Sequence, residues 1–163
     1  MMGIKLLEPE EIVRLLREGP DRINVAAEGL SNGELGQRPV PEAWSPNEIL
    51  AHLRACQDVW GDIRVMRMLS EVHPTVRAIN PRTWLEETTY RDLPFRTSLA
   101  AFAEQRQRFL ATISQLSPDQ WLRDGTFTGG GKARKYTVHT EADALARHER
   151  SHVRQIERLC RVA

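Results

Sequence analysis

The stretch that decides the fold is residues 137–161, TVHTEADALARHERSHVRQIERLCR, close to the end of the 163-residue chain. Three- and four-residue spacing along this stretch predicts one long helix with a single inward-facing stripe. The side chains on that stripe are Glu141, Leu145, His148, His152, Ile156 and Leu159. The rest of the chain supplies three further segments of the same amphipathic kind.

The first two of these segments have clear start signals. Pro9 and two glutamates open the first helix, and the pair Gly19-Pro20 is expected to interrupt it. Residues 45–48, Ser-Pro-Asn-Glu, match a capping box with proline at the first helical position. The second helix should therefore begin there and fade near Ser70, which places His52 on its buried stripe.

The third helical pattern covers residues 95–113. Residues 70–94 are too many for a tight turn, so a long crossover should join the second and third helices. Residues 121–135 carry a glycine triplet but no Lys-Ser or Lys-Thr of a phosphate loop, and their alternation suffices for a hairpin at most. A mobile loop is the favoured interpretation there. We therefore predict an all-α fold, a four-helix bundle, in a single domain spanning residues 1–163.

Composition excludes several classes of function. The net charge is +1 and acids and bases are interspersed, so no basic stripe indicates a nucleic-acid partner. No apolar run approaches the length of a membrane span or a signal-peptide core, so we expect a cytoplasmic protein without a membrane partner. The two cysteines, Cys56 and Cys160, form no Cys-x-x-Cys pair and need no disulfide framework at this size.

Histidines on two different helices predict a metal site. His148 and His152 lie one helical turn apart, about 6 Å along the axis, so both imidazoles can reach one ion. His52, on the inward stripe of the second helix, is the natural third ligand. Three neutral imidazoles would leave at least one open coordination position, as in catalytic metal sites. Three core histidines without a metal are the alternative.

The letters His148-Glu149-Arg150-Ser151-His152 also match the zinc-peptidase pattern H-E-x-x-H. That interpretation fails because the only acid downstream, Glu157, is rotated about 140° from His152 around the helix. Glu149 stays a weak catalytic candidate, with a solvated helix residue as the equal alternative.

Three other residues are candidates for the surroundings of the ion. Ligating histidines usually donate their second N–H to a partner, which makes Gln155 and Glu48 second-shell candidates, unless the capping box occupies Glu48. Cys56 follows His52 by one turn and could line the pocket, although a small core residue is the more common role.

Two motifs resemble the DinB-like superfamily. Residues 44–53, WSPNEILAHL, look like the start of its second helix, and residues 148–156, HERSHVRQI, look like its H-x-x-x-H-x-x-Q-I segment. The resemblance implies an up-down-down-up four-helix bundle, often dimeric, with zinc or nickel held by His52, His148 and His152. Characterised relatives include mycothiol-dependent maleylpyruvate isomerase and bacillithiol S-transferases, in which the metal is thought to activate a low-molecular-weight thiol.

Three functions follow as hypotheses. The first is a metal-dependent enzyme that joins a small thiol to a small-molecule electrophile. The second is a hydrolase that uses metal-bound hydroxide, with Glu149 or a pocket acid as base. The third is a non-catalytic metal-binding stress protein whose bundle serves as a dimerisation scaffold.

Overall fold

The computed structural model describes residues 3–163. Four long helices form the body of the protein. The first is α1 (Pro9–Ala26), the second begins as α3 (Pro46–Cys56), the third is α6 (Phe95–Ile113) and the fourth is α8 (Val138–Arg161). The second of them continues from α3 through a π-helix (Gln57–Val65) into α4 (Met66–Ser70). The predicted helix boundaries at Pro46, Ser70, Phe95 and Ile113 are confirmed.

The expected interruption at Gly19-Pro20 is wrong, because α1 runs through both residues to Ala26. Proline has no N–H, so the carbonyl four residues earlier, that of Leu16, loses its helical partner. A side chain replaces that partner: Nη1 of Arg106, on α6, donates to the Leu16 carbonyl at 2.7 Å. The helix therefore passes its proline without leaving a buried acceptor unpaired.

Contacts along the helices fix their relative directions. Near the start of α1, the Leu7 N–H donates to Asp143 of α8, and near its end Arg22 pairs with Glu157, so these helices run the same way. His52 of α3 lies against His148, and Arg64 of the π-helix, farther along, pairs with Glu141, so the second long helix runs opposite to α8.

The second and third long helices run in the same direction. Arg54 of α3 donates to Ser98 of α6, and farther along Gln105 of α6 donates to Asp58 and Asp62 of the π-helix. Because two helices that run the same way cannot be joined by a tight turn, their connection must cross the length of the bundle.

A small sheet corrects the expectation of a strictly all-α fold. Strand β1 (Thr75–Arg77) pairs in parallel with β2 (Asp124–Thr128), which pairs in antiparallel with β3 (Arg134–Thr137). The hairpin of β2 and β3 fits the weak alternation in the sequence. It corrects the mobile loop favoured for residues 121–135, because the strands on either side of the glycine triplet pair with each other. Strand β1 had no local signal because its partner lies about 50 residues away, with Thr75 opposite Thr126.

Short helices fill the connections. They are α2 (Asn32–Leu35), α5 (Pro81–Glu86), a 3₁₀ turn (Tyr90–Asp92) and α7 (Pro118–Trp121). The long crossover thus carries β1, α5 and the 3₁₀ turn. Within residues 3–163, no helix is both long and apolar enough to cross a membrane.

Candidate metal centre

Three imidazoles meet at one face of the bundle interior, and we call His52, His148 and His152 the histidine cluster. Their ring centroids lie 5.2 Å apart for His52 and His148, 5.0 Å for His52 and His152, and 4.6 Å for the two histidines of α8. His52 is buried, whereas the other two rings are half-buried. The structure therefore brings together all three residues that the sequence predicted as ligands.

The ligand atoms define a slightly different set. The Nε2 atoms of His52 and His148 lie 3.0 Å apart, and the Cys56 Sγ lies 3.5 Å from the His52 Nε2. In the described part of the chain, these three side chains form the one group of metal-binding type, with ligand atoms all within 4.8 Å of one another. The His152 ring adjoins this group without belonging to it.

The pKa values favour nitrogen over sulfur as donor. Burial lowers the pKa of His52 and of His148 to about 4, and also lowers that of His152, so all three rings are neutral at pH 7. A neutral imidazole binds a metal without first losing a proton. Burial and the nearby Glu149 carboxylate instead raise the pKa of Cys56 to about 12, so its sulfur is a thiol at neutral pH.

A hydrogen bond orients the His152 ring, whereas the His52 ring has a nitrogen without a partner. The His152 Nδ1 lies 3.0 Å from the Gln155 Oε1, so its N–H donates to the amide and the Nε2 lone pair is left free for a ligand. The buried His52 Nδ1 has no hydrogen-bond partner among residues 3–163. That nitrogen is on the opposite side of the ring from the Nε2 that faces His148, so no described residue fixes the tautomer of His52. These donors fit a divalent transition metal.

An open cavity of about 650 Å³ lies in front of the rings. All three members of the histidine cluster line it, together with Trp60 of the π-helix. The Trp60 ring meets the His148 ring edge to face at 5.0 Å. A small molecule entering this cavity would reach the imidazoles directly.

Comparison with known proteins identifies the family. The family model of the DinB superfamily matches residues 15–156, which include every residue of the histidine cluster. The chain belongs to the DinB superfamily. It has no significant match among curated protein sequences.

Solved structures of low sequence identity share the fold of this DinB-superfamily chain. YfiT from Bacillus subtilis, described as a probable metal-dependent hydrolase with an unusual four-helix bundle topology, superposes with a TM-score of 0.77 at 21% identity, over 99% of this chain and 90% of YfiT. A mycothiol-dependent maleylpyruvate isomerase gives a TM-score of 0.68 at 15% identity, covering 92% of this chain and 61% of the isomerase. A protein from Streptococcus pneumoniae gives 0.62 at 14% identity, covering 97% and 94%.

Glu149 departs from both of its predicted roles in this DinB fold. It is not a solvated helix residue, because it is 2% exposed. Its two carboxylate oxygens accept hydrogen bonds from Nη1 and Nη2 of Arg106, itself 1% exposed, and the Arg106 Nε donates to Gln57 at 3.0 Å. A general base needs a free oxygen at the substrate, and this carboxylate is instead held by a cation. We call Arg106, Glu149 and Gln57 the buried ion-pair cluster.

The Glu48 carboxylate bonds to residues outside the histidine cluster. Its carboxylate accepts the Ser45 N–H at 2.8 Å and thereby completes the predicted capping box. Arg38 donates to both of its oxygens. The capping alternative is therefore the one found, which leaves Gln155 as the outer partner of the histidine cluster.

Trp60 and Arg82 are two of the cavity residues that the sequence did not assign to the site. Trp60 follows His52 by eight residues on the same stripe, and that spacing was the available signal. Arg82 lines the cavity from α5. Nothing local marks Arg82, because its position depends on how the long crossover folds back over the bundle.

Proposed function

We propose that this DinB-superfamily chain is a divalent-metal-dependent enzyme that joins a low-molecular-weight thiol, through its sulfur, to an electrophile. The observation that carries the proposal is the convergence of two neutral imidazole Nε2 atoms 3.0 Å apart at the wall of an open cavity. Zinc and nickel are the candidate ions, because both accept imidazole ligands.

The histidine cluster would hold the ion, with His52 and His148 as the closest pair. Gln155 would keep His152 in the tautomer whose Nε2 faces inward. When bound, such an ion supplies a positive charge that favours the thiolate over the thiol of a coordinated cosubstrate. The cavity would admit the electrophile beside that sulfur, and the new sulfur–carbon bond would form as the leaving group departs with its electron pair.

The remaining expectations form part of the same proposal. The helix directions support an up-down-down-up order of α1, the α3–α4 helix, α6 and α8 in a single domain. A cytoplasmic location suits a cosubstrate that is a small intracellular thiol. We also propose a homodimer and a role in stress response, which the family resemblance implies.

Hydrolysis is the second candidate, since the chain shares its fold with YfiT, described as a probable metal-dependent hydrolase. In that case the open position would take water in place of a thiol. Turnover of esters or amides with no thiol present would favour this reaction over thiol conjugation.

The test compares metal content and thiol conjugation in the same preparations. Protein purified without a histidine tag is analysed for zinc and nickel, then assayed with mycothiol, bacillithiol and glutathione against chlorodinitrobenzene. We expect His52→Ala to lose both stoichiometric metal and conjugation, because it removes the most buried ligand. His73→Ala is the matched control, since His73 is exposed and bonds to Asp124 on the sheet. Full conjugation by metal-free protein would contradict the proposal.

A further inference from the structure

An arginine lines the cavity together with the histidine cluster. Arg82 is the second residue of α5, and its backbone N–H donates to the Asn80 side chain at 2.9 Å, which anchors the start of that helix. Its guanidinium lies over the Trp44 ring, with Cζ 5.2 Å from the ring centroid. The side chain is thus held beside the cavity although it is exposed.

Arg82 differs from the other arginine of the cavity in having no acidic partner. Arg64 donates to Glu141 at 3.0 Å, so its charge is neutralised. Within residues 3–163, Arg82 makes no ion pair with any carboxylate. The described residues that line the cavity include neither aspartate nor glutamate. The cavity therefore carries one uncompensated positive charge.

That charge acts on the space in front of the histidines. Arg82 lines the same cavity as all three members of the histidine cluster. Trp60 and Ile79 add apolar surface to the same lining. A cation with free donors beside apolar walls is the arrangement that recognises an organic anion.

We propose that the cavity selects substrates that carry a carboxylate, and that Arg82 is the residue that recognises it. The planar guanidinium presents two parallel N–H donors that match the two oxygens of a carboxylate. The organic part of the substrate packs against Trp60 and Ile79, with its reactive atom towards the histidine cluster. The substrate assignment rests on the proposed function, whereas recognition of the anion by Arg82 does not require metal or turnover.

The test uses two probes of nearly the same shape, benzoate and its neutral amide, benzamide. Each is titrated calorimetrically into the full-length chain as purified and again after treatment with a chelator. We expect benzoate to bind roughly tenfold more tightly than benzamide in both preparations, because a charge-assisted pair replaces a neutral contact. Arg82→Gln should abolish the preference, and Arg82→Lys should retain part of it.

Arg17→Ala is the matched control, since Arg17 is also exposed but lies on α1 and does not line the cavity. It should leave the preference for benzoate unchanged. The proposal is overturned if, in the chelated protein, benzoate binds no more tightly than benzamide, or if the preference survives in chelated Arg82→Gln. Because the chelated protein has neither metal nor activity, loss of the proposed reaction and loss of anion recognition give separate results.

Discussion

The histidine cluster and the buried ion-pair cluster are neighbours in sequence, yet they treat their polar atoms in opposite ways. His148 precedes Glu149, and Cys56, which touches His52, precedes Gln57. In the ion-pair cluster, all three guanidinium nitrogens of Arg106 find acceptors, one of them the Leu16 carbonyl freed by Pro20. In the histidine cluster, the His52 Nδ1 has none among the described residues, and the rings face a cavity.

The difference separates a structural polar group from one available for binding. Buried polar atoms are costly unless paired, so a fully paired cluster contributes to a unique packed core. Polar groups that are left short of partners beside open space are the exception expected at a functional site. Glu149, the residue that completes the peptidase pattern, thus belongs to the buried ion-pair cluster. His148 and His152, on either side of it, belong to the histidine cluster.

The largest expected effect on the free energy of unfolding comes from breaking the buried ion-pair cluster. Glu149→Gln keeps the shape of the side chain but leaves the Arg106 cation buried without its counter-charge. Removing one partner of a buried pair costs about 3–5 kcal/mol. We expect the free energy of unfolding, measured by urea denaturation of metal-free protein, to fall by that amount.

His148→Asn is the matched control, because His148 is adjacent to Glu149 but belongs to the histidine cluster. Because the His148 ring is half-buried beside a cavity, its replacement should change the free energy of unfolding by no more than about 1 kcal/mol. Equal losses in the two variants would erase the distinction between the clusters. A change beside the buried ion-pair cluster, Gly19→Ala, should also lower the free energy of unfolding, because its Cβ would overlap the Glu149 carboxylate.

Local signals in the sequence predicted the elements of the bundle but not its polar interior. The capping box at Ser45 and Glu48 depends on residues three apart, so the sequence contains all of it. The pairing of Arg106 with Glu149 joins residues 43 positions apart, and periodicity could place both helices without revealing that contact. Strand β1 escaped prediction for the same reason, since its neighbour β2 lies far along the chain.

The candidate site was predictable to the level of helix faces. Spacing placed His148 and His152 on one stripe and His52 on another, and the structure brings the three rings together. The same spacing could not decide which atoms point at a common centre. His152 turns its Nδ1 to Gln155, and Cys56 comes within 3.5 Å of His52, because side-chain torsions and neighbouring helices set those details.

The next effect in size distinguishes the two candidates for third ligand. We expect His152→Ala to weaken zinc binding by more than 100-fold, since it removes a neutral nitrogen that binds without proton loss. Cys56→Ser should change zinc affinity by less than tenfold, because burial keeps this thiol protonated. Competition with a chromophoric chelator measures both affinities under the same conditions.

The reverse order would assign the third position to sulfur and remove His152 from the site. Cobalt substitution gives an independent observation, since thiolate ligation adds an intense sulfur-to-cobalt charge-transfer band in the near ultraviolet and imidazole ligation does not. We expect that band to be absent in the cobalt-loaded wild-type protein.

The smallest expected effect on zinc affinity comes from removing Gln155, the hydrogen-bond partner of the histidine cluster. Gln155 accepts from the His152 Nδ1 at 3.0 Å, and outer hydrogen bonds of this kind typically contribute about 10–100-fold to metal affinity. Gln155→Ala should therefore weaken zinc binding within that range, while Gln155→Glu, which keeps an acceptor oxygen, should bind zinc at least as tightly as wild type. An unchanged affinity in Gln155→Ala would mean that His152 needs no orientation. The histidine cluster would then differ from the buried ion-pair cluster in lacking any organised partner, and the ring positions alone would have to account for binding.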